Sequence, residues 1–109
     1  MPWKVNFYIT TRGESLVRKF ISEQDDLIQS KILQSILLIH DRGPFLKPPQ
    51  IKKIQPNLLE LRIKSKIQVR IFYTVKNNEF YLLHAFIKKS QKTPTKDLKV
   101  AIDRMKEFI

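Results

Sequence analysis

The sequence predicts an α+β fold: two N-terminal helices packed on a largely antiparallel sheet of four to five strands, with a helix at the C-terminus. Three observations carry this prediction. Apolar residues between Leu16 and Ile39 recur at helical spacing. Between Leu58 and Ile87 they alternate as in strands, with turn residues between the runs. After Lys92 the helical spacing returns. The reading is of one domain over residues 1–109, a length that leaves little room for a second.

The elements follow in order. Trp3 to Ile9 alternates as a strand, and Gly13 breaks it. Ser15 to Ile21 places Leu16, Val17, Phe20 and Ile21 on one face of a short helix. A second helix is expected from about Asp25 to His40, its stripe formed by Leu27, Ile28, Ile32, Leu33, Ile36, Leu37 and Ile39. Asp25 and Asp26 sit at its start, where carboxylates complement the helix dipole. Arg42 to Pro49, with one glycine and three prolines, ends it. Strands are expected at Ile51–Ile54, Leu58–Ile63, Ile67–Val75 and Glu79–Ile87. Asn77-Asn78 fits a two-residue hairpin turn, because Asn tolerates positive φ. Thr93-Pro94 fits a helix start, with Thr as cap and Pro at the first helical position. Leu98, Ala101, Ile102, Met105 and Phe108 then form a helical stripe.

Charge is the strongest compositional fact. Twenty-one Lys and Arg against ten Asp and Glu give a formal charge of +11, which favours polyanionic partners. With no cysteine there is neither a disulfide nor a thiolate nucleophile or metal site. That fits a cytoplasmic protein. The longest apolar run, Ile36 to Ile39, is far too short to span a bilayer. The N-terminus lacks the layout of a signal peptide, and no membrane partner is expected.

Alternation along the strands sorts the polar residues. Leu59, Leu61 and Ile63 point one way, and Leu58, Glu60 and Arg62 the other. Ile67, Val69, Ile71, Tyr73 and Val75 form an apolar side, opposite Gln68, Arg70, Phe72 and Thr74. Placing the uninterrupted apolar sets on the core brings Arg62 and Arg70 together on an open face. Lys88-Lys89-Ser90-Gln91-Lys92 borders that face, and a bulge at the strand end would decide whether Lys88 or Lys89 joins it. Arg suits phosphate through forked hydrogen bonds, and Lys adds point charge. An exposed Phe86 or Tyr73 would stack on an RNA base. The plainer reading is a surface ion pair between Arg62 and Glu60 among solvated lysines.

The blocks Leu58-Leu59-Glu60-Leu61-Arg62, Val69-Arg70-Ile71-Phe72-Tyr73 and Leu83 to Pro94 (LHAFIKKSQKTP) occur in order. Together they resemble RelE/HigB-type toxins of type II toxin–antitoxin systems, in the phage-derived HigB-like branch of the RelE/ParE superfamily. The KKSQKTP block is the specific part. Gly43-Pro44 and Lys52-Lys53 also fit, so the resemblance covers nearly the whole chain.

The resemblance implies a ribosome-dependent mRNA interferase, an endoribonuclease that cuts translated mRNA without a metal or other cofactor. It also implies neutralisation by a cognate helix-turn-helix antitoxin. By motif position, Arg62, Arg70, Lys88, Lys89 and Lys92 take the catalytic roles. Lys52, Lys53, Tyr73 and Phe86 are expected to bind RNA, Tyr73 being a weaker carry-over.

In such a cleavage a ribose 2′-OH attacks the adjoining phosphorus. The site must deprotonate that hydroxyl, stabilise the phosphorane and protonate the leaving 5′-oxygen. Arg62 and Arg70 suit the phosphate. Lys88, Lys89 or Lys92 suits the base or acid, since crowding among cations favours a neutral amine. Of the two histidines, His40 reads as a helix-end residue and His84 as a residue packed near the core. Two alternatives share these features: a ParE-like gyrase inhibitor, against which the lysine-rich block argues, and a non-catalytic RNA-binding module.

Overall fold

The computed structural model describes residues 2–92 and 94–108. Its elements are β1 (Lys4–Phe7), α1 (Leu16–Ser22), α2 (Asp26–Arg42), β2 (Ile51–Gln55), β3 (Leu58–Lys64), β4 (Gln68–Lys76), β5 (Glu79–Ile87) and α3 (Thr95–Met105). The strands form one sheet in the order β1-β5-β4-β3-β2. Only the β1–β5 pairing is parallel; the other three are antiparallel. This is the α+β arrangement that the residue pattern predicts.

Local chemistry accounts for the boundaries. Asp25 caps α2, its carboxylate accepting from the Ile28 N–H at 2.9 Å. A 2.7 Å ion pair from Lys66 ties the β3–β4 loop to the same carboxylate. Asn77 and Asn78 both take positive φ, as a two-residue hairpin requires. Gly43 ends α2 at positive φ, and a Cβ there would collide with the Trp3 ring. Trp3 is also fixed by its backbone: its N–H donates to the His40 carbonyl, and His40 Nδ1 donates to the Trp3 carbonyl, both at 2.8 Å. His40 is thus a helix-end residue, as its position suggests. The expected cap Thr93 lies outside the described residues. Pro94 holds the N-cap position of α3 in an extended conformation, one residue before the first helical position expected for it.

The core lies on both faces of the sheet. One cluster joins Val17 and Ile21 of α1 and Ile28, Ile32 and Ile39 of α2 to Leu61, Ile63, Val69, Ile71, Tyr73, Phe80 and Leu82. The other face, expected to be partly open, is half covered. Here Leu98, Ala101, Ile102 and Met105 of α3 pack on Leu58, Phe72, Leu83 and Phe86. Two further contacts hold α3 down: Arg104 Nη1 donates to the Leu83 carbonyl at 2.7 Å, and the Tyr8 hydroxyl donates to Glu107. What remains open is the end of the sheet where β3 ends at Lys64 and β4 begins at Gln68.

Two expectations change here. The parity break in β5 comes at its middle, not its end: Phe72 faces His84 while Tyr73 faces Leu82, leaving Leu83 as the extra residue. The bulge lets Leu82 and Leu83 be fully buried on opposite faces, and it turns Phe86 to the same face as its partner Arg70. Secondly, the stacking aromatics are not exposed. Tyr73 is 2% exposed beneath the helical pair, and Phe86 is 6% exposed beneath α3. Both are large apolar surfaces that the two-sided core absorbs. Among the described residues, no helix is long and apolar enough to cross a membrane.

Candidate active site at the open end of the sheet

The site grows from one register position. Arg62 of β3 and Arg70 of β4 are direct partners in an antiparallel pair, which brings their side chains to the same face. Like charges placed so close repel unless a counter-charge lies between them. Glu60, two residues before Arg62, supplies it. Its Oε1 accepts from Arg62 Nε at 3.1 Å and lies 3.8 Å from Arg70 Nε. Glu60 is 1% exposed, so this carboxylate is an interior group held by two guanidinium ions. The surface ion pair of the plainer reading is in fact a three-membered cluster, with Glu60 and Arg70 buried and Arg62 reaching solvent.

The cluster carries one net positive charge and an incomplete set of hydrogen bonds. Glu60 Oε2 and Arg70 Nε are buried and make no hydrogen bond. Arg70 Nη1 donates to Gln68 Oε1 and to the Val69 carbonyl, both at 3.3 Å. Burial pushes the Arg70 guanidinium below its ordinary range, the Glu60 carboxylate opposes that shift, and Arg62 adds to it. An arginine so placed still holds its proton at neutral pH. A desolvated cation of this kind interacts more strongly with an incoming anion than a solvated one.

Arg70 opens into a cleft of about 430 Å³ that it shares with Gln68, Lys88, Lys89, Ser90 and Gln91. The Lys88 N–H donates to the Gln68 carbonyl at 2.8 Å, so the chain leaving β5 stays tied to β4 and carries both lysines to the cleft. Among the described residues, no acidic side chain lines it. Lys92 lies further along the same loop, exposed and outside the lining, with its carbonyl accepting from Ser90 Oγ at 2.9 Å. Arg62 turns the other way, into a groove with Pro49, Gln50 and Lys64.

The remaining site candidates divide. Lys52 stands opposite Glu60 and shares the basic face, at its exposed edge. Lys53 stands opposite Leu59 and belongs to the other face. Burial pushes the Tyr73 phenol up to about 12, and its position in the core removes it from the cleft. His84 donates from Nε2 to Asp97 Oδ1 at 2.6 Å and stacks on Phe86. It lines neither basic cavity. Among the described residues, no three His, Asp or Glu side chains gather as a metal site would need.

Sequence reasoning underrated Glu60. The signal was an acid between leucines on the side of β3 that carries Arg62, where alternation put it two residues from one arginine and, after pairing, near a second. What alternation alone did not show was how deep it lies: Lys52 of β2 and Phe72 of β4 flank it, and both arginines lie against its carboxylate.

Residues 19–106 match the family described as phage derived protein Gp49-like (DUF891), a RelE-like, toxin-like family. No curated protein matches the chain.

Proposed function

The chain belongs to the phage-derived Gp49-like family, whose members are read as toxins of toxin–antitoxin modules, and on that footing we propose that it is an mRNA interferase of the HigB-like branch, cutting mRNA as it is translated on the ribosome. Its other partner is a cognate antitoxin of helix-turn-helix type. The whole chain acts as one toxin domain. The observation that carries this reading is the Arg62–Glu60–Arg70 cluster beside an acid-free cleft bordered by Lys88 and Lys89.

The chemistry follows from these groups. The RNA backbone enters the cleft with its scissile phosphate against the guanidinium group of Arg70. As the 2′-oxygen attacks, negative charge builds on the non-bridging oxygens; Arg70 lies in the cleft to receive it, and Arg62, held beside it by Glu60, adds positive charge from the neighbouring groove. Glu60 keeps both from turning to solvent. Lys88 or Lys89, from the loop at the cleft edge, takes the 2′-OH proton or returns one to the leaving 5′-oxygen. Lys92 sits further out and contributes charge toward the flanking strand. Attack by the neighbouring hydroxyl needs no bound nucleophile from the protein, which suits a site built of cations.

Primer extension on a defined mRNA tests the proposal, using purified protein with and without translating ribosomes. Discrete cuts that require ribosomes are expected. No cut in either condition, from folded protein, would shift the reading to gyrase inhibition or to RNA binding without cleavage.

A further inference from the structure

The cleft beside Arg70 contains one side chain whose hydrogen-bonding sense the fold has already chosen. Gln68 opens β4 two residues before Arg70, so both point to the same face of the sheet. Its backbone carbonyl is tied to β5 through the Lys88 N–H. Its side chain accepts from Arg70 Nη1 at 3.3 Å. A guanidinium has donors only, so the amide oxygen, and not the nitrogen, must face it. The amide nitrogen is left over. Among the described residues it has no partner, yet it is not a buried atom. Gln68 lines the cleft, so this nitrogen presents its N–H donors to whatever enters. The neighbouring side chains of Arg70, Lys88 and Lys89 are donors as well. Ser90 and Gln91 complete the lining from the exposed loop, with Ser90 Oγ engaged by the Lys92 carbonyl.

We propose that Gln68 is a specificity-determining residue. It selects a keto base, guanine or uracil, over an amino base, adenine or cytosine, next to the phosphate held by Arg70. The inference rests on the proposed reading of the protein as an RNA-cleaving toxin and adds the base that it prefers. A free glutamine pairs well with adenine, because its oxygen accepts from the exocyclic amino group while its nitrogen donates to N7. Here the oxygen is committed to Arg70, and an amino group approaching it would meet a guanidinium that also only donates. The adenine pairing is therefore lost. Guanine sets O6 and N7 side by side as acceptors, and uracil offers O4, so either can receive the donors of Nε2. An unstacked base in a single strand exposes these edges.

The test is primer extension on messages under translation, identical except for the base on each side of one mapped cut, set in turn to G, U, A or C. Wild-type protein should cut the keto messages on the order of tenfold faster than the amino ones, as one good base contact allows. Gln68→Ala should bring that ratio close to one, chiefly by slowing the keto messages. Gln68→Glu turns an acceptor to the cleft where Nε2 donates. It should reverse the order and favour A and C, whatever its charge does to the overall rate. Circular dichroism checks that each variant is folded; if one failed to fold, the other would decide, since the two predict different ratios. Equal cutting of all four messages by wild type, a keto preference that survives Gln68→Ala, or loss of all cutting in the folded variants would overturn the assignment while leaving the proposed function standing. Wild-type protein that cuts none of the messages would remove the proposed function, and the base preference with it.

Discussion

Arg62 and Arg70 face each other across β3 and β4, and their Nε atoms lie 3.1 and 3.8 Å from the same carboxylate oxygen of Glu60. An antiparallel pair places opposed side chains about 5 Å apart at Cβ, a spacing that two arginines tolerate only with an anion between them. Inside the fold that anion is Glu60. At the cleft it is the substrate phosphate of the proposed reaction. One arrangement thus makes the pair both a structural element and an anion site with charge to spare.

Removing Glu60 should therefore damage the fold before it damages the chemistry. Glu60→Ala leaves Arg70, 7% exposed, without its counter-ion. Breaking a buried pair from one side costs about 3–5 kcal/mol. Urea unfolding of the variant is expected to show a loss of that order. Glu60→Gln, which keeps the shape and one acceptor oxygen, should fall between the variant and wild type. A loss within experimental error for Glu60→Ala would mean that the carboxylate is not what holds the arginines.

The arginines and the loop lysines should show the opposite balance. Arg62→Ala and Lys89→Ala are expected to fold, since both side chains reach solvent, and to relieve growth arrest when expressed in bacteria. Loss of one charge-stabilising donor lowers a rate by about 10²–10³, to be read as cleavage per ribosome-bound message. Arg62→Lys should rescue poorly, because an ammonium lacks the guanidinium fork. Folded variants that remain fully toxic would remove these residues from the site.

Much of this site was legible in the residue pattern. Alternation in β3 and β4 put Arg62 and Arg70 on one face, and the tight connection at Ser65–Ile67 sets the register that joins them. The lysine block fell at the end of β5, where the loop had to pass the same face. Two features were not legible. The bulge at Leu83 has no marker residue, so the faces of His84 and Phe86 were open until the strands were paired. The burial of Glu60 depends on the flanking strands and the two arginines that pairing brings around it. Local periodicity specifies faces, whereas depth and edges come from packing.

Tyr73 gives a pH prediction that separates the core from the site. Its phenol is raised from 10.0 to about 12 by burial alone. Because the folded value exceeds the ordinary one, the neutral form is the one the fold prefers. The associated stability is complete below pH 10 and is lost as pH climbs toward 12, by an amount on the order of 2 kcal/mol. Denaturant midpoints should fall over that window in wild type, and more gently in Tyr73→Phe. Parallel slopes for the two proteins would place the tyrosine in a more polar setting than the core beneath α1 and α2.

His84 offers the final discrimination, because a histidine bonded to an aspartate invites a catalytic reading. Its position argues otherwise. Nε2 donates to Asp97, in the first turn of α3, and the ring stacks on Phe86 with centroids 5.9 Å apart. The pair therefore fastens the start of α3 to β5, and it lies apart from the cleft lined by Arg70, Lys88 and Lys89. His84→Ala and Asp97→Ala should each lower stability by about 1–2 kcal/mol, and the double variant should cost less than their sum. Cleavage by the folded fraction should stay close to wild type. Loss of a general base would instead lower the rate by about 10²–10⁴. A fall of that size in folded His84→Ala protein, with a changed pH–rate profile, would move the proton-transfer role from the loop lysines to His84.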